Sequence, residues 1–135
     1  MKVKRRFGTL DELPPEVLEG LVDVDSLRRV GASAIFFDSD REMVVLGLEF
    51  WRGNLFYRLA NPPDERYAVL GLAAFFAITD GRPSRYWRCQ MGVDGRFTMC
   101  HKEWFSPWYH DKLSDGDADA LKVFLDVKTQ LKEES

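Results

Sequence analysis

The chain has 135 residues, of which 19 are lysine or arginine and 22 are aspartate or glutamate, giving a formal net charge of −3. This length fits one domain, and 45% hydrophobic with 30% charged residues is ordinary for a globular protein, which excludes long disorder, collagen-like repeats and a coiled-coil rod. The acidic balance supplies no basic field over the whole domain, so any binding to nucleic acid or to an anionic membrane has to be local.

The first residues and the longest apolar run indicate where in the cell the protein is located. Residues 1–7 contain four basic side chains and lack the apolar stretch of a secretory signal. The longest apolar run, residues 67–78, has 12 residues, which is short of the roughly 20 that a membrane-spanning helix requires. We therefore expect a cytoplasmic protein that has no membrane partner.

The N-terminal segment predicts helix. Thr9 and Glu12 have the spacing of a capping box, and Pro15 opens an apolar-periodic stretch that continues to Leu21. Asp25 can cap a further turn. A helical segment therefore precedes the first strand.

A three-strand meander is predicted next, because three segments rich in β-branched and aromatic residues alternate with polar turns. The segments are residues 33–38, Glu42–Trp51 and Asn54–Ala60. A two-residue turn at residues 52–53 places Trp51 opposite Asn54, and the face that we take as the core side then carries only apolar residues. These residues are Val44, Leu46, Leu48, Phe50, Leu55, Tyr57 and Leu59.

The opposite face of the meander carries Trp51 and Phe56 beside Glu49 and Arg58. It is more apolar than a solvated sheet face usually is. Trp51 and Phe56 are therefore candidates for an interface or a ligand site.

The apolar run at residues 67–78 predicts a central helix. Two prolines and two acidic residues precede it, as at the first turn of many helices, and Asp80 with Gly81 ends it. A helix that is apolar all round has to be covered on all sides, and the sheet of a small domain covers only one. We therefore expect a partner subunit on the outer side, with Leu70, Phe75 and Phe76 at the interface.

A second hairpin and a last helix complete the prediction. Residues 84–92 and 95–103 alternate around Asp94-Gly95. A two-residue turn there places Cys89 opposite Cys100 within disulfide distance, so the thiols are either a redox pair or two small apolar fillers. Ser114 with Asp117 makes a cap at the start of an amphipathic C-terminal helix. Its predicted buried face carries Leu121, Phe124, Leu125 and Leu131.

The predicted fold is therefore α+β, with the order α-β-β-β-α-β-β-α and an antiparallel sheet packed on the central apolar helix. In this order and in size the chain resembles the type III secretion chaperone-like fold, over most of its length. The resemblance implies a small, acidic, commonly dimeric protein that binds extended segments of client proteins and catalyses nothing. It supports a chaperone-like or adaptor role.

Residues 101–110 are the most unusual segment, because six of the ten are aromatic or histidine. Trp104, Trp108 and Tyr109 are candidate anchors for an interface, since such rings bury a large area at little rotamer cost. An alternative is a small enzyme or ligand-binding protein with an aromatic pocket and acid–base chemistry. In that alternative Trp87, Trp104 and Trp108 line the pocket, and His101 or His110 transfers the proton.

Metal and nucleic-acid sites are less well supported. Cys100 and His101 point to opposite faces of a strand, so they cannot both bind one metal ion. The acidic run that starts at residue 115 has Ala120 at the sixth position, where a calcium loop requires glycine. We therefore expect no metal and no cofactor. Arginines interleave with aromatic residues at 82–88, as in single-strand binding, but strand alternation splits them between two faces. A single-stranded nucleic-acid binder is therefore the second alternative, and we do not expect nucleic acid as a partner.

No motif identifies a nucleophile, a phosphate loop or a dinucleotide site, so no residue is assigned as catalytic. The leading hypothesis is a non-enzymatic protein-binding module that forms a homodimer. It depends on the surplus of apolar surface predicted for so short a chain.

Overall fold

The computed structural model describes residues 1–29, 41–60, 68–92, 94–105 and 109–135. Within these ranges seven strands pair antiparallel in one sheet. The strands are β1 (Lys2–Arg5), β2 (Glu42–Trp51), β3 (Asn54–Ala60), β4 (Ala68–Leu72), β5 (Phe76–Asp80), β6 (Trp87–Met91) and β7 (Phe97–His101). The helices are α1 (Pro15–Glu19), α2 (Val24–Arg29), α3 (Tyr109–Ser114) and α4 (Ala118–Glu134), with 3₁₀ turns at Leu10–Glu12, Ala73–Phe75 and Lys102–Phe105. The predicted α+β class is confirmed.

Strand β2 is the centre of the sheet. The strand order is β4-β3-β2-β1-β5, and β7 also pairs with β2 and carries β6 on its far side. β1 pairs with β2 at residues 42–44 and β7 at residues 47–50, so these two strands share one edge of β2. Gly47 permits this arrangement, because a Cβ atom there would lie 2.8 Å from the carbonyl oxygen of Met99 and 2.9 Å from Cβ of Cys100.

The predicted β2–β3 hairpin is confirmed in its bounds and in most of its register. Arg52 and Gly53 both have positive φ (50° and 82°), as a two-residue turn of the mirror-image type requires. Trp51 lies opposite Asn54, as predicted. An unbroken register from this turn predicts Leu46 opposite Leu59, but a bulge at residues 45–47 makes Val45 the partner of Leu59. The predicted strand at residues 33–38 lies outside the described residues.

The predicted central helix is wrong where the structure describes it, at residues 68–78. This segment forms β4, a 3₁₀ turn and the start of β5, and these two strands pair with β3 and β1 respectively. The error has a physical reason, because periodicity alone cannot distinguish a strand from a buried helix in a continuous apolar run. Phe75 and Phe76 are buried within this chain, so no apolar helix surface is left for a partner subunit to cover.

The second hairpin is confirmed, but its register differs by one residue from the prediction. The amide of Gly92 donates to the carbonyl of Arg96 (2.7 Å), so three residues connect the strands instead of two. Gly95 has a φ of 79°, which fits the left-handed position that ends a three-residue hairpin loop. Cys89 therefore lies opposite Met99 and not opposite Cys100.

Strand β1 was absent from the sequence prediction. Only Val3 of its four residues is fully buried, and charged residues surround it, so the local signal is too short to indicate a strand. Its partners β2 and β5 are distant in sequence and supply the pairing.

The predicted helices α1, α2 and α4 are present, but Asp23 caps α2 in place of the predicted Asp25, because Oδ1 of Asp23 accepts a hydrogen bond from the amide of Ser26 (3.2 Å). Asp117 caps α4 by accepting a hydrogen bond from the amide of Ala120 (2.9 Å), whereas Ser114, which was predicted to share this cap, is the last residue of α3. The buried side of α4 consists of Ala120, Phe124, Val127 and Leu131. Leu125, which was predicted on that side, is 40% exposed. In the described part of the chain, no helix combines the length and the apolar character needed to cross a membrane.

Candidate functional site

The apolar end of the sheet is the first candidate surface, and it consists of Met91, Phe97, Phe50 and Leu55. These residues are direct neighbours on β6, β7, β2 and β3, so they form one row on one face of the sheet. Met91 is 64% exposed and Phe50 is 43% exposed, and the Phe50 and Phe97 rings lie 6.1 Å apart. The sequence analysis placed Phe50 on the core side of the sheet, but the chain leaves it open.

The outer edge of β6 adjoins this apolar end. β6 pairs only with β7 among the described residues. Because Gly92 bonds to β7 and hydrogen bonding alternates along an antiparallel strand, Cys89 and Met91 direct their backbone amides and carbonyls away from β7. The outward groups of Trp87 are occupied, since its amide donates to Ser84 and its carbonyl accepts from Arg88. The open edge is therefore limited to Cys89 and Met91.

A polar cleft on the opposite face of the sheet is the second candidate surface. Glu49 lies at its floor with a side chain that is 1% exposed. Its Oε2 accepts a hydrogen bond from Nη2 of Arg58 (2.6 Å), and its Oε1 lies 3.0 Å from Nη1 of Arg96. A buried carboxylate is destabilised unless it is paired, so both guanidinium groups are needed to hold the charge of Glu49.

The walls of the cleft come from the segment after β7. Trp104, Phe105 and His110 stand beside the ion-paired floor, and the cleft encloses about 350 Å³. Trp104 is fixed in place by near-parallel stacking on Tyr109 and Phe124, at centroid distances of 6.3 and 5.7 Å. Aromatic residues of the 101–110 segment therefore form one wall of a site.

His110 is held neutral in this cleft. Burial and, to a smaller extent, the charge of Arg58 lower the pKa of His110 to about 4. At neutral pH its imidazole can donate one hydrogen bond and accept another. The imidazole therefore carries no positive charge that would repel the guanidinium group of Arg58.

The two cysteines lie in different environments. Cys100 is buried beside the cleft, and burial raises the pKa of its thiol to about 12. Cys89 is exposed on the other face of the sheet. The predicted juxtaposition of the two thiols is therefore wrong, because the three-residue loop shifts the register by one residue.

The structure separates the predicted site residues. Those buried in the core of this chain are Phe56, Phe75, Phe76, Trp104 and Tyr109. Leu70 is 42% exposed on β4, and Trp51 is partly buried between the guanidinium groups of Arg52 and Arg96. Trp108 lies outside the described residues.

The predicted aromatic pocket is only partly assembled. Trp104 and His110 line the cleft, whereas Trp87 and His101 do not. The ring nitrogens of His101 are both engaged, one accepting from the amide of Glu103 and the other 3.1 Å from Oε1 of Gln130. His101 therefore lacks a free nitrogen for acid–base chemistry. Among the described residues, no three histidine, cysteine or acidic side chains cluster in a way that could hold a metal ion.

Sequence reasoning missed the cluster of Glu49, Arg58 and Arg96 as a site. A signal existed, because the hairpin register places Glu49 diagonally from Arg58 on a face that is otherwise apolar. No protein-family model, curated protein or solved structure matches the chain. The resemblance to the type III secretion chaperone-like fold therefore stays a prediction, and function has to be argued from the two surfaces.

Proposed function

We propose that the chain is a non-enzymatic protein-binding module that works as a homodimer joined through the open edge of β6. The observation that carries this proposal is the continuity of that edge with the half-exposed apolar end of the sheet. An open edge with unpaired amides and carbonyls is a template for another strand. Exposed Met and Phe side chains beside it favour burial on association.

A second copy fits this edge with a self-complementary register. With a two-fold axis at Gln90, the outward groups of Cys89 in one copy meet those of Met91 in the other, which forms two equivalent pairs of backbone hydrogen bonds. The two apolar ends then lie on the same face of one continuous sheet. That surface would hold an extended apolar segment of a client protein, as a chaperone-like role requires.

Charge complementarity supports the same register. It brings Arg88 of one copy opposite Gly92 of the other, and both Arg88 and Asp94 are exposed. Asp94 lies over Gly92, with its Oδ1 2.9 Å from the position that a Cβ atom of Gly92 would take. Nε and Nη2 of each Arg88 can then contact Asp94 of the other copy, while Nη1 keeps its hydrogen bonds to the carbonyls of Arg85 and Trp87. The exposed free thiol of Cys89 fits the cytoplasmic location that we include in the proposal.

The first test is molar mass by size-exclusion chromatography with light scattering. We expect a dimer for the wild-type chain. Met91→Lys should raise the dissociation constant at least about tenfold, because the apolar contact of each Met91 with Cys89 of the other copy is replaced by a charged side chain. Ile78→Lys is the matched control, since Ile78 is 56% exposed on β5 and lies away from the proposed interface. A wild-type monomer at about 100 μM, or equal weakening by both variants, would overturn the proposal.

The second test addresses the register by disulfide crosslinking. In a Cys89→Ser background, Gln90→Cys places two thiols across the two-fold axis in a non-hydrogen-bonded pair, where Cα atoms lie about 4.5 Å apart. We expect rapid interchain crosslinking on mild oxidation. Arg88→Cys in the same background is the control and should crosslink slowly, because its partner position is Gly92. Equal crosslinking of the two variants would contradict this register.

A further inference from the structure

The polar cleft lies on the other face of the sheet from the apolar end, and we propose that it binds a small organic oxyanion, either a carboxylate or a phosphate ester, through Arg58 and Arg96. This site is independent of the dimer. The dimer proposal concerns the edge of β6, whereas the cleft is built on Glu49 of the central strand and on the wall formed by Trp104 and His110.

Unused hydrogen-bond donors are the first argument. A guanidinium group has five N–H donors, and Arg58 uses one nitrogen, Nη2, in its hydrogen bond to Glu49. Among the described residues, Nε of Arg96 is a buried donor without a hydrogen-bond partner, and Oδ2 of Asp94 lies 3.7 Å from it. A buried donor without an acceptor is costly, and an oxyanion entering the cleft would supply the acceptor that Nε of Arg96 lacks.

The charges at the floor of the cleft are the second argument. Glu49 balances only one of the two guanidinium groups, which leaves one positive charge on the buried part of the floor. Asp94, the other acid beside Arg96, is 54% exposed at the rim, where water screens its charge. Glu49 also fixes both arginines in place, so an anion would not bear the entropy cost of ordering them.

The walls and size of the cleft select the class of ligand. About 350 Å³ is sufficient for a small organic molecule, and Phe105 and Trp104 offer apolar surface beside the charged floor. Neutral His110 and the hydroxyl of Thr98 also line the cleft and can hydrogen-bond to the rest of the ligand. An anion beside His110 would oppose the effect of Arg58 and raise the pKa of the imidazole from its present value near 4.

Isothermal titration calorimetry with two probes tests the site and separates the two sources of the oxyanion. The probes are benzoate and inorganic phosphate, each in Tris chloride buffer. We expect saturable binding of at least one, and the probe that binds more tightly identifies the carboxylate or the phosphate as the preferred group. Absence of saturable binding of both probes up to about 10 mM would overturn the proposal.

Variants of Arg96 distinguish recognition from a structural effect. Arg96→Gln should weaken binding about tenfold or more, because a charge-assisted contact is lost. The affinity of Arg96→Lys should lie between those of the wild-type chain and Arg96→Gln, since lysine keeps the charge without the planar fork. The Arg96 side chain is 38% exposed, and circular dichroism will confirm that the variants fold. Arg82→Gln is the control, because Arg82 is 82% exposed and paired with Asp80 outside the cleft.

Nuclear magnetic resonance of His110 provides a second readout. At an anion concentration that saturates the wild-type chain, the pKa of His110 should rise in the wild-type chain and in Arg82→Gln, and should rise less in Arg96→Gln, whose site is then only partly occupied. Equal affinities of the wild-type chain and Arg96→Gln, or a His110 pKa that the anion leaves unchanged, would overturn the proposal.

Discussion

Glu49 shows at the scale of single residues why the candidate site was only partly predictable. Its position on the face of Arg58 follows from the β2–β3 register, which the sequence predicted through the Arg52-Gly53 turn. Its burial does not follow from the register. That burial depends on Arg96 and on the wall containing Trp104, which reach Glu49 from segments about 50 residues away in the chain. Contacts of this kind leave no local pattern in the sequence.

The prediction at the scale of single residues concerns how protonation of His110 changes the stability of the fold. Its pKa in the folded chain is about 4, below the ordinary 6.5, so the folded state resists protonation and the unfolded state does not. The free energy of unfolding should therefore fall as the pH drops from 7 to 5, by up to about 2 kcal/mol from this one group. The free energy of unfolding of His110→Asn should fall less over this pH range, because the variant has no imidazole at this position to protonate. Urea unfolding of both proteins at both pH values measures the difference, and an equal loss would contradict the prediction.

At the scale of elements, the sequence located the β2–β3 hairpin and helix α4 better than the segments that depend on distant partners. The hairpin and α4 carry their own turn and cap, at Gly53 and Asp117, so local physics is sufficient. Residues 68–78 carry no periodicity, and their state is decided by β3 and β1, with which they pair. The helix was predicted there because nothing local distinguishes the two outcomes.

Gly47 gives the prediction at this scale, since it sits where β7 approaches β2 most closely. Gly47→Ala would place a methyl group 2.8 Å from the carbonyl oxygen of Met99, which is backbone and cannot rotate away. We expect a loss of about 1–3 kcal/mol in the free energy of unfolding, measured by urea denaturation. Gly81→Ala is the control, because its nearest neighbour would be Cγ2 of Ile78 at 3.7 Å. Equal stability of the two variants would show that β7 can shift without cost.

At the scale of the whole molecule, the sheet uses its two faces differently. One face ends in exposed apolar residues at Phe50 and Met91, and the other holds the charged cleft around Glu49. Because successive side chains of a strand point to opposite faces, neighbours such as Glu49 and Phe50 belong to different surfaces. Variants of one surface should therefore leave the other intact, which allows the dimer and the cleft to be tested separately.

The dimer makes a last prediction about the whole molecule, which concerns its unfolding. When a dimer unfolds into two separate chains, a higher protein concentration favours the folded state by mass action. A hundredfold increase in concentration, over the range where light scattering finds the dimer, should stabilise it by about 2.7 kcal/mol and raise the midpoint of urea unfolding.

Met91→Lys should lose this dependence at concentrations below its raised dissociation constant, where its chain unfolds as a monomer, while Ile78→Lys should retain it over the whole range. A midpoint that is independent of concentration in the wild-type chain would contradict the dimer. The same result in Ile78→Lys alone would move the interface from the β6 edge to the side of the sheet that contains β5.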